Sequence, residues 1–193
     1  MTDADRVANL LGALALVVTD RSCAAIAAAA GQSVSAAAAL SAMHHFLDRP
    51  TLDQLRSVLG LTHSGAVRLV DRLVEAGLVT RGPGPDGRSR SIILTSAGRQ
   101  VAERVSATRA AVLRDALEDL SPDERDTLHA LMGRVMASIV RAKDGGAWIC
   151  RLCDVAACGQ PDGECPTANA AAAKYGPYVR AGITATDSGE ATT

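Results

Sequence analysis

Aromatic residues are almost missing from this 193-residue chain, at 2% of the total: Phe46, Trp148, Tyr175 and Tyr178. Three of the four lie after residue 147, so residues 1–147 must build a core from Ala, Leu, Val and Ile around one Phe. Small aliphatic side chains suit closely packed helices and argue against a β-sandwich, which draws on β-branched and aromatic residues. An excess of charge is missing too. The net charge is −1, so the chain is no polycation and any nucleic-acid surface must be a local patch. A basic leader is also absent, because Met1–Arg6 places acids where a signal peptide carries cations. The longest stretch without Asp, Glu, Lys or Arg, Ser22–Leu47, is mostly Ala and contains Gly31, Gln32, Ser33, Ser35, Ser41, His44 and His45. It is too weakly apolar for a membrane span. What is present, 48% hydrophobic and 21% charged residues, is a foldable balance. The expectation is a cytoplasmic protein with no membrane contact, built as one domain or one domain plus an appendage.

Apolar periodicity and caps divide the chain. Val7, Leu10, Leu11, Leu14, Val18 and Ile26 give a helix over about 5–30, closed by Gly31. An Ala-rich helix over about 34–47 stops before Asp48-Arg-Pro50. Thr51 and Gln54 form a capping box for a short helix that Gly60 ends. Thr62 caps the next helix, which runs to Gly77. Leu78–Arg81 and Arg90–Thr95 read as two short strands joined by the Gly/Pro-rich loop 82–88. A helix over about 96–119 follows. Ser121-Pro-Asp-Glu124, a capping box with proline at the first helical position, opens another. Its apolar stripe runs from Leu128 to Val140. A short helix near 167–175 is the last element, and Gly, Thr and Ser beyond it suggest disorder. The fold class is mainly α with a small β-hairpin. The expected divisions are 1–33, an N-terminal helix; 34–95; 96–143, two long helices; and 144–193, a cysteine-rich tail that is partly disordered.

Residues 51–95 carry the strongest functional signal: helix, tight turn, helix, hairpin. A second helix set across a short turn from the first is the helix-turn-helix arrangement for the major groove, and the hairpin adds a wing. At about 100° per residue, Ala66, Leu69, Val70, Leu73 and Val74 gather on one side of the 62–76 helix. Ser64, Arg68, Asp71, Arg72 and Glu75 gather on the other. An ordinary solvated face would show the same split, but the charge favours DNA. Between residues 62 and 100 there are six Arg against Asp71, Glu75 and Asp86, and no Lys. Arginine is the better partner for phosphates and narrow minor grooves.

Three segments together, Leu61–Leu73, Glu75–Arg81, and Pro85-Asp-Gly-Arg88 followed by Leu94–Arg99, resemble the MarR family of bacterial winged helix-turn-helix regulators. The likeness covers about residues 5–142 in element order and is strongest over 51–99. It implies a homodimer on double-stranded DNA, with the first helix and the last two long helices forming the dimer interface. Thr62, His63, Ser64, Arg68 and Arg72 would then serve the major groove, and Arg88 and Arg90 the wing. It also implies that Asp86 steadies Arg72. The function expected is a DNA-binding repressor of transcription at a pseudo-palindromic site. No nucleophile–base pair, phosphate loop or carboxylate pair points to an enzyme.

The tail departs from that family. Four of the five cysteines form a C-x2-C-x4-C-x6-C-P run: Cys150, Cys153, Cys158 and Cys165. A disulfide scaffold would spread its cysteines along the chain, whereas this clustering favours metal or redox chemistry. Soft thiolates select zinc or an iron–sulfur cluster, and the spacing matches neither template closely. Free or disulfide-forming thiols are the plain alternative. Cys23 reads as a small buried hydrophobe, and His44 and His45 as exposed helix-end residues. The tail is expected to sense redox state or metal. The competing readings are a regulator that answers to a small-molecule effector while zinc holds the tail, a winged helix used for protein contact, and a thiol redox protein.

Overall fold

The computed structural model describes residues 2–84, 89–142 and 147–175. Seven helices and a two-stranded hairpin follow the expected order: α1 (Asp3–Ala30), α2 (Val34–His45), α3 (Leu52–Leu59), α4 (His63–Glu75), β1 (Val79–Pro83), β2 (Arg90–Leu94), α5 (Ser96–Asp115), α6 (Pro122–Ala142) and α7 (Pro166–Tyr175). The chain is mainly helical with a β-hairpin wing.

The caps do what their chemistry dictates. Thr51 and Gln54 close a reciprocal box at the start of α3, and Gly60 ends that helix in the left-handed region at φ 65°. Gly31 ends α1 in the same way at φ 58°. Ser121 and Glu124 form the expected box ahead of α6, with the Ser121 amide donating to Glu124 Oε2 at 2.8 Å. Boundaries shift by a few residues. α2 stops at His45, because Phe46 leaves the helical region at φ −152°. α5 stops at Asp115 rather than 119, and a series of turns takes over through Leu120.

α2 is the centre of the molecule. Every residue from Ala36 to Met43 is buried, and α1, α3, α4, α5 and β2 all pack on it. Alanine makes this possible, since a helix with short side chains lets its neighbours approach on all sides. Ile26, Leu40, Leu55, Leu69, Leu73 and Val105 are fully buried around it. β1 and β2 pair antiparallel from Val79↔Leu94 to Pro83↔Arg90. The Ile92 amide donates to Pro50 O at 2.8 Å, which ties the hairpin to the loop ahead of α3.

Three expectations change. Cys23 is half-exposed, and Ser22 is the buried neighbour. Residues 22, 26 and 30 share the inward face of α1 at i, i+4 spacing, and Cys23 lies one step around it. α1 rather than Ser22–Leu47 is the long apolar helix: by length and composition alone it could cross a membrane. Finally, the described part of the tail is folded. A 3-10 turn, Ala147–Cys150, packs on α3, and α7 packs on α6.

One junction fixes the wing against the long helices. Thr95 caps α5, and its hydroxyl also donates to Gly77 O at 2.8 Å and to Leu78 O at 3.1 Å. Gly98 lies directly beneath that Leu78 carbonyl, so a methyl group there would collide with backbone. Gly98→Ala should therefore destabilise the fold by about 1–3 kcal/mol. Gly12→Ala, on α1 with nothing near the added carbon, should stabilise it by roughly 0.5–1 kcal/mol. Chemical denaturation of both variants checks the contrast, and equal effects would contradict it.

Candidate nucleic-acid interface

α4 presents the two faces that its sequence implies. Ala66, Leu69, Val70 and Leu73 are buried against the core. Thr62, His63, Ser64, Arg68, Arg72 and Glu75 are exposed. The Gly65 amide donates to Thr62 Oγ1 at 3.2 Å, and the Thr62 and Ser64 hydroxyls lie 3.4 Å apart. Small polar groups thus mark the N-terminal end, and the guanidinium groups follow one and two turns later. Free backbone amides at such an end suit phosphate.

The hairpin continues the basic face. Arg81 on β1, Arg90 on β2 and Arg99 on α5 are all exposed. Arg99 is aimed by a hydrogen bond from Nη1 to Leu94 O at 3.2 Å. Asp86 and Arg88 lie outside the described residues, and so does the expected Asp86–Arg72 contact. The structure instead shows an ion pair that the sequence reading missed: Arg81 of β1 with Asp71 of α4, both about half exposed. It joins the wing to the candidate recognition helix. Its one sequence signal was an acid within an otherwise basic face.

The second candidate site lies where the tail meets α2, α3 and α5. Leu152 packs against the main core. The His45 side chain is only 12% exposed; it is hydrogen-bonded to Ser106 of α5 at 2.8 Å, with Asp154 at 3.9 Å. His44 remains exposed as expected, but His45 does not. Nothing local announces this contact, because its partners stand 61 and 109 residues away. All four tail cysteines are free thiols, with Cys165 buried and the others half-buried. A hydrogen bond from Cys150 lowers Cys153 to about 6, helped by the nearby Arg109 and Arg151 guanidinium groups against the burial. The same bond pushes Cys150 up. Burial pushes Cys158 up.

Comparison with known proteins points one way. A MarR family model matches residues 30–89, from the last residue of α1 through the hairpin. It ends well before the tail cysteines. The chain is similar to a MarR family protein from Bacillus stearothermophilus, at 22% identity and TM-score 0.64, over 72% of this chain and 98% of that one. It is similar to a probable transcriptional regulator from Pseudomonas aeruginosa, at 28% identity and TM-score 0.51, over 67% and 98%. It is also similar to CouR from Rhodococcus jostii RHA1 bound to p-coumaroyl-CoA, at 24% identity and TM-score 0.54, over 70% and 92%.

The His45 environment has a pH signature. Burial holds this imidazole below its ordinary 6.5, and His44 pushes the same way while Asp154 partly offsets both. The folded chain therefore binds fewer protons at His45 than the unfolded chain. Stability should fall as pH drops through the unfolded value near 6.5 and recover above it. His45→Gln should flatten that slope. Urea denaturation at several pH values from about 5 to 8 checks this, and an unchanged slope in the variant would contradict it.

Proposed function

The chain carries a winged-helix domain of the MarR family, and on that premise we propose that it is a homodimeric repressor of transcription. It binds double-stranded DNA at a pseudo-palindromic site. The observation that carries this reading is the exposed Thr62–Arg72 face of α4, continued by Arg81, Arg90 and Arg99 around the hairpin. Phosphate contacts place such a domain on the duplex, and base-edge contacts in the major groove supply sequence preference. Arg88 at the wing tip completes the proposed contact set. The protein acts in the cytoplasm and performs no catalysis.

Dimerisation is supported by two apolar stripes. On α1, Val7, Leu10, Leu11, Leu14 and Val17 are exposed, and all fall on one side at about 100° per residue. On α6, Leu131, Met132, Val135 and Ile139 do the same. A second copy of the chain is the occupant that fits, because two equivalent half-sites on DNA need two lobes held at fixed spacing.

The effector acts through the four-cysteine tail, as a metal centre of zinc or iron and sulfide. The tail's contacts with α2, α3 and α6 support this, since they place it against both the helix-turn-helix and a proposed dimer helix. A second reading is favoured by the acyl-CoA bound in CouR. In it a small molecule binds between the dimer helices and the winged domain, while zinc in the tail is structural.

Two experiments test the proposal. Arg68→Ala should cost about 1–3 kcal/mol on the preferred DNA site and less on random DNA. Equal losses in a titration on both DNAs would reduce Arg68 to a phosphate contact, and no loss would remove α4 from the interface. Val135→Asp should shift the protein to monomer or unfold it in sedimentation, and a stable wild-type monomer would refute the dimer.

A further inference from the structure

The tail cysteines are arranged as two pairs. Cys150 and Cys153 bracket the first turn, where the Cys153 amide donates to Cys150 O at 2.8 Å. Cys158 and Cys165 bracket the second. That loop bends at Gly159 and Gly163, at φ 66° and 73°, both left-handed. It is closed by the Glu164 amide on Gly159 O at 2.9 Å and by Asn169 Nδ2 on Gly163 O at 2.7 Å. Within each pair the two thiols share a side-chain hydrogen bond. Across the pairs the interaction is electrostatic only: Cys150 feels Cys158 and Cys165, and Cys158 feels Cys153.

This arrangement discriminates between metal centres. A structural zinc gathers four thiolates tetrahedrally at about 2.3 Å from one ion, so every sulfur must be near every other. Among the described residues, no three His, Cys, Asp or Glu side chains converge in that way. Two separated pairs instead match a centre with two metal ions, one pair on each. A [2Fe–2S] cluster is held by four cysteine thiolates, two on each iron with sulfides between the irons.

We propose that the tail holds a [2Fe–2S] cluster, with Cys150 and Cys153 on one iron and Cys158 and Cys165 on the other. The inference rests on reading the tail as a four-cysteine metal centre and specifies its nuclearity. Four thiolates around an oxidised cluster core leave net negative charge, and Arg109 of α5 and Arg151 stand where they offset it. The ligand loops are also braced from outside. Leu152, between the first two cysteines, packs on the main core. Asp154 accepts from the Ala156 and Ala157 amides, at 3.0 and 3.3 Å, while facing His45. Pro166, next to Cys165, sits against Gly133 of α6.

The test uses the full-length wild-type protein purified without oxygen and reconstituted with ferrous iron and sulfide in the presence of equimolar zinc. The expected result is about two iron and two acid-labile sulfide per chain. A red-brown charge-transfer absorption and a one-electron paramagnetic signal after dithionite reduction should accompany them. Cys150→Ser and Cys158→Ser, one from each pair, should each lose that absorption while circular dichroism confirms folding. Cys23→Ser should keep it. One zinc per chain with no iron overturns the cluster and leaves the four-cysteine centre standing. Four iron per chain does the same. Protein that binds neither metal, with all four thiols open to alkylation, overturns both.

Discussion

The carbonyl oxygen of Leu78 is the point at which the DNA-facing unit is joined to the long helices. It receives the Thr95 amide at 3.1 Å and the Thr95 hydroxyl at 3.1 Å, while Gly98 leaves room for it beneath α5. The end of α4, the start of β1, the end of β2 and the first turn of α5 all meet there. A backbone acceptor that is doubly satisfied and tightly covered admits little displacement. The orientation of the wing relative to α5 is therefore set by backbone chemistry and not by adjustable side chains. Any change in spacing between two such units must come from the long helices as bodies.

On the DNA face the same economy recurs. α4 needs two buried rows to hold its angle, which leaves a narrow exposed strip for recognition. The Asp71–Arg81 pair spans from that strip to the hairpin. At half exposure such a pair contributes little to stability. Its effect is to aim a guanidinium and to keep the hairpin in register with the helix. Opposite this face, the tail lies against α3 and α6 at once. Changes in the thiol loops thus reach both the helix-turn-helix and a proposed dimer helix without an intermediary.

Much of this was legible in the sequence because it is local. Thr51–Gln54, Gly31, Gly60 and Ser121–Glu124 mark helix ends within three or four residues of the groups they satisfy. The buried and exposed rows of α4 follow from period alone. What escaped was tertiary. His45 reads as an exposed helix end until Ser106 and Asp154 arrive from distant elements. Arg81 reads as one more cation until Asp71 is found opposite it. Cys23 and Ser22 differ by one helical step, and a run of alanines gives too little contrast to set that phase. The tail reads as irregular because its order comes from docking and from paired thiols. Neither leaves a periodic trace.

The basic face is made wholly of arginine; the chain's two lysines, Lys143 and Lys174, both lie far along the sequence from it. A guanidinium keeps its charge at every physiological pH and is not a substrate for lysine acylation. The grip on phosphate therefore cannot be graded by neutralising individual cations, as a lysine-rich surface allows. Control has to be geometric, by carrying a permanently charged surface toward the duplex or away from it.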